Sequence, residues 1–247
     1  MTMRIPRLFV ALPLAAGARI TLPESAGHHA TRVLRLGAGD ALTVFDGRGG
    51  EYDATIARAS RSAVEVDVGP HTAVDRESTL EIELGQGICK GDRMDLVVQK
   101  ATELGVRAIR PIVCRRTVVK LDSARTERRV ARWRAIAVHA AQQSGRTRVP
   151  EVAVVEDLEG WLARTSAGPG LVLSPRAGTS LSELAPPVPG EPVRLLVGPE
   201  GGLALREVER ARAAGFTELR LGPRVLRTET AAMVALGVLQ AQWGDLR

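Results

Sequence analysis

The feature that most constrains the fold is a regular alternation of strand-like and helical segments after about residue 78. Apolar runs of strand length, such as residues 193–198, alternate with stretches in which apolar residues recur every three or four positions. In residues 91–105, Met94, Val97 and Ala101 follow that helical spacing. Because parallel strands need a crossover between them, the alternation predicts an α/β domain with a parallel sheet covered by helices.

The N-terminal part has a different pattern, in which short strand-like stretches predominate. One helical patch at residues 24–36 interrupts them, and the glycine-rich residues 46–50 have the composition of a hairpin turn. We therefore expect a small β-barrel with one helix. The polar residues 70–78 follow it as a linker, so the predicted domains are residues 1–72 and 73–247. The strand-like stretches are residues 7–10, 19–23, 41–46, 51–57 and 63–69.

The charge of the chain makes a nucleic acid a plausible partner. Its 34 lysine and arginine residues outnumber 28 acidic ones, and the formal net charge is +6. Aromatic residues make up 3% of the sequence, which argues against a broad stacking platform for several bases. No stretch approaches the length of a membrane span and Pro13 interrupts the apolar start, so we expect a cytoplasmic protein with no membrane partner.

Cysteine and histidine do not form a metal-binding pattern in this sequence. Cys89 and Cys114 lie in apolar surroundings and are expected to be buried, reduced thiols. The four histidines belong to no HExxH motif and the cysteines to no CxxC motif, so we expect no metal.

Three breaks marked by glycine or proline follow predicted parallel strands, at residues 171–175, 196–202 and 219–230. Open α/β sheets bind ligands at the carboxyl ends of their strands, so these breaks are predicted to line one pocket. A glycine-rich turn before a helix usually favours an anion, but Glu200 stands in the middle of Gly198–Gly202. Neither a GxGxxG nor a GK[ST] pattern is present, which favours a ligand with hydroxyls, an amine or a sulfonium over a phosphate.

The last break carries apolar residues as well. Val225 and Leu226 are suited to an apolar slot for a planar ring. Thr228 or Thr230 can cap the following helix, and Glu229 suits the positive end of its dipole. That helix is apolar all round, which indicates a core position or a subunit interface.

Basic residues cluster in three segments that are candidates for RNA contact, although solvated charged faces are an equally simple explanation. Arg146 and Arg148 would face one way if their segment is extended. With Arg7, the RNA-binding candidates are His29, Arg32, Arg35, Lys90, Lys100, Arg115, Arg116 and Arg146.

Taken together, six segments resemble the ribosomal RNA small subunit methyltransferase E family of the SPOUT superfamily, over about residues 7–239. They read HHATRVLRLGAGD, DGRGGEYDATI, KGDRMDLVVQKATELGV, RWRAIAVHAAQQSGR, LVGPEGGLALREVERARAAGF and LGPRVLRTETAA, in that order. The resemblance implies an N-terminal PUA-like barrel for RNA and a SPOUT-type parallel sheet with a C-terminal trefoil knot. It also implies a homodimer that uses S-adenosylmethionine to methylate N3 of a uridine in 16S rRNA, as free RNA or in the assembled small subunit.

The cofactor-binding residues implied by the resemblance come from the three breaks. They are Leu173, Gly198, Glu200, Gly201, Gly202, Leu221, Gly222, Leu226, Arg227 and Thr230. The sequence departs from the family pattern at Gln142, where an acid is usual, and at residues 203–206, where Ser-Pro-Glu-Glu is usual. Without a serine cap, the helix start is expected to depend on Gly202 or on ligand groups.

Methylation of uracil N3 requires removal of its proton, so we expect an arginine to stabilise charge on the uracil oxygens. Arg227 and Arg146 are the catalytic candidates for that role. Glu103 or Glu229 could accept the proton or hold the arginine, and structural roles for both acids remain open. Three alternatives also remain: a related methyltransferase acting on another RNA, a non-catalytic RNA-binding module, and a nucleotide-binding α/β enzyme for small molecules.

Overall fold

The computed structural model describes residues 5–60, 63–118, 122–164 and 166–246. The chain divides into two compact units, of which the first contains Met1–Glu77 and Ala141–Val149 and the second contains Ser78–Ala140 and Pro150–Arg247. Residues 141–149 therefore belong to the first unit although the residues on both sides of them belong to the second. A single boundary along the sequence cannot separate two such units. The domain boundary at residue 72 stays a prediction.

The first unit is built on a five-stranded sheet with the order β1-β3-β4-β5-β2. Strands β1 and β3 are parallel and the other neighbours are antiparallel. Its elements are β1 (Arg7–Phe9), β2 (Arg19–Thr21), α1 (Glu24–His28), a π-helical turn (His29–Val33), β3 (Ala41–Phe45), β4 (Glu51–Ala59) and β5 (Val64–Thr72). All five strands and the helical patch correspond to the segments expected from the sequence.

Apolar residues at alternate positions of these strands form the core of the first unit. In β5, for example, Val64, Val66 and Val68 are buried and point to the same face. The turn between β3 and β4 contains Gly47, with a φ of 82°, in the left-handed region that favours glycine. The hairpin expected at residues 46–50 is therefore confirmed.

Residues 70–72, the first part of the polar segment expected as a linker, belong to the sheet instead, and that part of the prediction was wrong. Pro70–Thr72 continue strand β5. Further on, the Glu77 carboxylate accepts hydrogen bonds from the backbone N–H groups of Thr147 (3.0 Å) and Arg148 (3.1 Å). The polar side chains of this segment have specific partners within the protein. Composition alone cannot distinguish such side chains from ones that are hydrated at the surface.

The second unit has a wholly parallel sheet with the order β12-β10-β11-β6-β7-β8, and β9 pairs with β7. The predicted α/β architecture is confirmed. The strands are β6 (Ile82–Gly87), β7 (Ala108–Val113), β8 (Glu151–Val152), β9 (Glu156–Asp157), β10 (Gly170–Leu173), β11 (Val193–Val197) and β12 (Phe216–Leu219). The helices are α2 (Arg93–Glu103), α3 (Ser123–Ser144), α4 (Leu158–Leu162), α5 (Leu205–Ala213) and α6 (Thr228–Trp243), with a 3₁₀ turn at Leu181–Glu183.

Helix α6 is buried along one stripe of alanine and leucine, while Val234 and Val238 are exposed one turn apart on the same helix. None of the helices in the described ranges combines the length and apolarity of a membrane span.

A buried tryptophan forms the centre of one core cluster in the second unit. Trp161 is fully buried, and its ring lies 5.4 Å from the ring of Phe216 between centroids. The Arg194 guanidinium lies 4.1 Å from the Trp161 ring centroid. The indole N–H donates to a Glu83 carboxylate oxygen at 2.8 Å. This side chain therefore joins helix α4 to three strands of the sheet.

We expect Trp161→Ala to lower the free energy of unfolding by about 3–5 kcal/mol, because it leaves a cavity among well-packed side chains. Urea unfolding followed by circular dichroism measures the change. Trp161→Phe is the matched control, since it keeps most of the ring contact and loses the indole N–H, and it should be the milder variant. Equal midpoints for wild type and Trp161→Ala would contradict this assignment.

Candidate functional site

The loops that follow β10, β11 and β12 line one cavity of about 600 Å³ in the second unit. These strands are neighbours in the sheet, in the order β12-β10-β11, and all run parallel. Their carboxyl ends therefore lie at the same edge, and the loops emerge side by side. The prediction that the three breaks line a single pocket is confirmed.

Most of the expected cofactor residues lie in the wall of this cavity. Leu173 comes from the end of β10, and Val225 from the loop before α6 is 80% exposed at the cavity. Arg227 and Thr230 are outside the lining. The expected residues that line the cavity are Leu173, Gly198, Glu200, Gly201, Gly202, Leu221, Gly222 and Leu226.

The Gly198–Gly202 loop is packed closely at its start, where Gly198 leaves no room for a side chain. A Cβ on Gly198 would lie 2.8 Å from the backbone nitrogen of Leu203, and one on Gly87 would lie 2.5 Å from the backbone nitrogen of Pro199. Gly202 has a φ of 66°, in the left-handed region. The loop therefore lies directly against the end of β6 and presents backbone to the cavity.

A threonine that the sequence suggested as a helix cap instead anchors this loop. The Thr228 hydroxyl donates to the Gly198 carbonyl at 2.6 Å and accepts from the Gln86 amide nitrogen at 3.0 Å. No side-chain hydrogen bond caps α6 at its N-cap residue, Arg227. The capping role expected for Thr228 or Thr230 was therefore wrong, whereas Glu229 does lie in the first turn of α6 as expected.

Glu207 caps the start of helix α5. Its carboxylate accepts from the backbone N–H of Ala204 at 2.6 Å and from that of Arg115 at 2.7 Å. The expectation that Gly202 or a ligand must serve this helix start was wrong, because the cap comes from inside the helix. The neighbouring Arg116 guanidinium donates to the Gly201 carbonyl at 2.8 Å and so holds the outer side of the loop.

The Glu200 carboxylate is engaged within the protein. One oxygen accepts from the backbone N–H of Lys90 at 2.7 Å and from the Arg93 guanidinium at 2.8 Å. Burial by itself raises the pKa of Glu200, but these bonds and the backbone N–H of Glu200 itself outweigh it and hold the pKa below its ordinary value. Because Arg93 balances this charge, repulsion of a phosphate by Glu200 is weaker than the sequence suggested.

Glu229 is a buried acid that lies outside the cavity lining. Its Oε1 lies 3.8 Å from Arg93 Nε. Its Oε2 is buried and has no hydrogen-bond partner among the described residues. The nearby Cys89 thiol is buried as predicted, and burial, reinforced by Glu200 and Glu229, raises its pKa to about 12. Cys89 is therefore a poor nucleophile here. Cys114 is also a free, buried thiol, and burial raises its pKa to about 12.

The other catalytic candidates occupy different environments. Glu103 lies on α2, where both of its carboxylate oxygens accept from Lys100 at 2.9 Å, and neither residue lines the cavity. Arg227 is exposed, and the structure records no hydrogen bond or ion pair for its side chain among the described residues.

Two predicted RNA contacts in the first unit, one buried and one partly buried, are held by other groups. Arg146 donates to Glu77 at 3.0 Å, whereas Arg148 is exposed. Their segment bends at residues 147 and 148, so the extended conformation in which the two arginines would face one way does not form. Arg7 pairs with Glu51 at 2.7 Å and donates to backbone carbonyls of residues 141, 142 and 146.

The remaining RNA candidates are accessible to different extents. Arg32 is exposed in the π-helical turn and Arg35 is exposed two residues after it, whereas His29 is partly buried. Arg35 has a φ of 57°, a costly conformation for a residue with a side chain. Lys90 and Arg115 are exposed in loops of the second unit. At the departure from the family pattern, the Gln142 side-chain oxygen accepts from the Phe9 backbone N–H at 3.0 Å.

Comparisons with known proteins match both parts of the chain. Residues 76–240 match the family model described as an RNA methyltransferase domain, and residues 22–69 match an RNA methyltransferase PUA domain. Ribosomal RNA small subunit methyltransferase E of Buchnera aphidicola from Schizaphis graminum is 32% identical over 100% of both chains. The Bacillus subtilis protein of the same name is 34% identical over 89% of each chain.

Solved structures agree with these sequence matches. A putative methyltransferase from Legionella pneumophila, in complex with S-adenosylmethionine, has a TM-score of 0.94 at 37% identity, covering 99% of this chain and 100% of its own. A ribosomal RNA small subunit methyltransferase E from Neisseria gonorrhoeae, bound to S-adenosylmethionine, has a TM-score of 0.91 at 34% identity with the same coverage.

The chain belongs to the ribosomal RNA small subunit methyltransferase E family. The fold class expected from the resemblance, a SPOUT-type parallel sheet with an N-terminal PUA-like domain, is confirmed. The trefoil knot and the roles of the individual site residues stay predictions.

The partners of Glu200 predict a dependence of stability on pH. Because the folded pKa of Glu200 lies below its ordinary value, its contribution is present at neutral pH and is lost as the pH falls from about 4.3 through the folded value. We expect the Tm of wild type to exceed that of Glu200→Gln at pH 7, and we expect this difference in Tm to decrease as the pH is lowered. Differential scanning calorimetry across this range tests it.

Glu209→Gln is the matched control, because Glu209 lines the same cavity and is exposed. A constant difference between wild type and Glu200→Gln at every pH would show that the ionised carboxylate does not stabilise the loop.

Proposed function

We propose that this chain transfers a methyl group from S-adenosylmethionine to N3 of a uridine in 16S rRNA. The observation that carries the proposal is the cavity at the carboxyl ends of β10, β11 and β12, whose walls are the motif residues of this family. The two relatives solved with S-adenosylmethionine, each aligned over 99% of this chain, support the choice of cofactor.

The cavity suits this cofactor in size and in chemistry. Its volume of about 600 Å³ falls within the range of about 300–1,000 Å³ typical of small-molecule pockets. Leu173, Leu221 and Leu226 offer apolar surface for a planar ring, and the Gly198–Gly202 backbone offers donors and acceptors at close range. S-adenosylmethionine supplies an electrophilic methyl group on a sulfonium.

The residues of the chain then have to position the uracil and manage its proton. Uracil N3 attacks as the deprotonated imide, so negative charge develops on the two ring oxygens. Arg227 follows the cavity residue Leu226 and has an exposed guanidinium, which suits it to donate to those oxygens. Glu229 has a buried oxygen, Oε2, for which the described residues supply no hydrogen-bond partner, and we assign it either to accept the proton or to hold an arginine.

Two of the four catalytic candidates are less suited to this chemistry. Glu103 is already paired with Lys100. Arg146 is buried in its ion pair with Glu77, and breaking such a pair leaves an uncompensated charge. We therefore assign structural roles to both and keep Arg227 and Glu229 in the catalytic proposal.

The position of N3 on the Watson–Crick edge constrains the substrate. The uridine must be unpaired and turned out of its stack before N3 can reach a cavity in a protein. In the first unit, the exposed Arg32 and Arg35 at the π-helical turn are suited to phosphate contact.

We also propose a homodimer formed through α6, because Val234 and Val238 are exposed on a helix whose other face is core. We also propose a cytoplasmic location, because the proposed substrate is ribosomal RNA.

Transfer of tritiated methyl groups tests the substrate and the reaction together. We expect incorporation into 16S rRNA, supplied either as free RNA or as assembled small subunits, and the comparison of the two identifies the form recognised. Labelling confined to another RNA would overturn the substrate. A chain that binds RNA but not S-adenosylhomocysteine in calorimetry would be a non-catalytic module.

Arg227→Ala should reduce kcat by about 10²–10³, because it removes a donor to the developing charge. Single-turnover methyl transfer measures the rate, and calorimetry with S-adenosylhomocysteine checks that the cavity still binds. Arg206→Ala is the matched control, since Arg206 is an exposed arginine on α5 outside the cavity lining. Near-normal turnover by Arg227→Ala would remove this residue from the catalytic role.

A further inference from the structure

Three arginines at the cavity belong to none of the basic clusters recognised in the sequence. Arg176 follows β10, and Arg220 and Arg224 follow β12, the neighbouring parallel strand. All three are exposed and all three contribute to the lining of the cavity. The carboxyl ends of two adjacent strands thus bring their positive charges to one edge.

The three side chains differ from other arginines around the cavity in having no fixed partner. Arg116 donates to the Gly201 carbonyl, and Arg212 lies 3.8 Å from a Glu218 oxygen. For Arg176, Arg220 and Arg224, the structure records no side-chain hydrogen bond or ion pair among the described residues; the charge of Arg220 acts at longer range on Glu183.

The backbone beneath two of these arginines, Arg176 and Arg220, is held in place. The backbone N–H of Arg176 donates to the Ser174 hydroxyl at 3.3 Å, and the backbone N–H of Ser174 donates to the Leu219 carbonyl at 3.0 Å. Arg220 donates its backbone N–H to the Thr179 carbonyl at 3.0 Å. The two loops are therefore tied to each other and to the sheet at Arg176 and Arg220.

We propose that Arg176, Arg220 and Arg224 bind the phosphates of the RNA strand on either side of the uridine that enters the cavity. One guanidinium group can donate to two oxygens of the same phosphate. Three such groups are suited to a polyanion that carries several phosphates along a chain. A carboxylate on a small ligand offers one such charge. A strand that turns a base into the cavity must bring its flanking phosphates to the cavity edge.

The inference rests on the proposed function and extends it to the second unit. RNA contact then includes residues beside the cavity as well as the candidates Arg32 and Arg35 of the first unit. We call Arg176, Arg220 and Arg224 the arginine rim.

The salt dependence of RNA binding tests the arginine rim. Each phosphate contact with a single strand contributes about 0.7 to the slope of log K against log salt concentration. Removing three contacts should therefore lower the magnitude of the slope by about 2. The measurement uses the full chain with S-adenosylhomocysteine, a single-stranded oligouridine and fluorescence anisotropy at several salt concentrations. The variant replaces all three arginines by glutamine, and each single variant should account for about a third of the change.

Two control variants separate phosphate binding from a general loss of charge. Arg210→Gln removes an exposed arginine of α5 that pairs with Glu159 and does not line the cavity, so it should leave the slope unchanged. Replacing the three rim arginines by lysine keeps the charges and should preserve most of the slope. Thermal unfolding verifies that every variant is folded, which the exposure of these side chains favours.

The outcomes distinguish this inference from the proposed function. An unchanged slope in the triple glutamine variant overturns the arginine rim, whether or not wild type methylates rRNA. Weaker binding of S-adenosylhomocysteine in that variant also overturns it, because the rim would then hold the cofactor. A reduced slope with unchanged S-adenosylhomocysteine affinity supports it. Failure of wild type to methylate any RNA would refute the proposed function by a separate measurement.

Discussion

The hydroxyl of Thr228 lies where three parts of the second unit meet, and the geometry of the cavity depends on its two hydrogen bonds. It donates to the Gly198 carbonyl and accepts from the Gln86 amide, which belongs to the fully buried end of β6. The start of α6, the glycine-rich loop and the centre of the sheet are thereby fixed relative to one another. Because hydrogen bonds among buried groups are costly to leave unmade, the loop has little freedom to adopt another conformation.

Much of this architecture could be predicted because it depends on local patterns. The helical spacing in residues 91–105 corresponds to α2. The pocket could be predicted too, since strand direction alone brings neighbouring carboxyl ends to one edge. The strands β8 and β9 were missed because two residues are too few to show a period.

The individual side chains of the site were harder to predict, since their roles depend on residues distant in sequence. Glu200 looked like a free charge, but its partner Arg93 is 107 positions away. Arg146 looked like an RNA contact and is the partner of Glu77. The number of arginines in a segment does not show which of them are held in buried ion pairs and which have a guanidinium free to contact RNA. The arginine rim carries no local signal either, because its members come from two separate loops.

The cap of helix α5 has a consequence for the residues just before it. In most helices the cap position requires a small polar side chain, which restricts what else can stand there. Here the Glu207 carboxylate caps the helix from within its first turn by accepting from the Ala204 N–H. Residues 203–205 therefore do not have to include a capping side chain. Leu203 packs against the apolar cluster around Trp161, and Leu205 lines the cavity. The wall of the cavity thus gains apolar surface at positions that would otherwise be committed to capping the start of a helix.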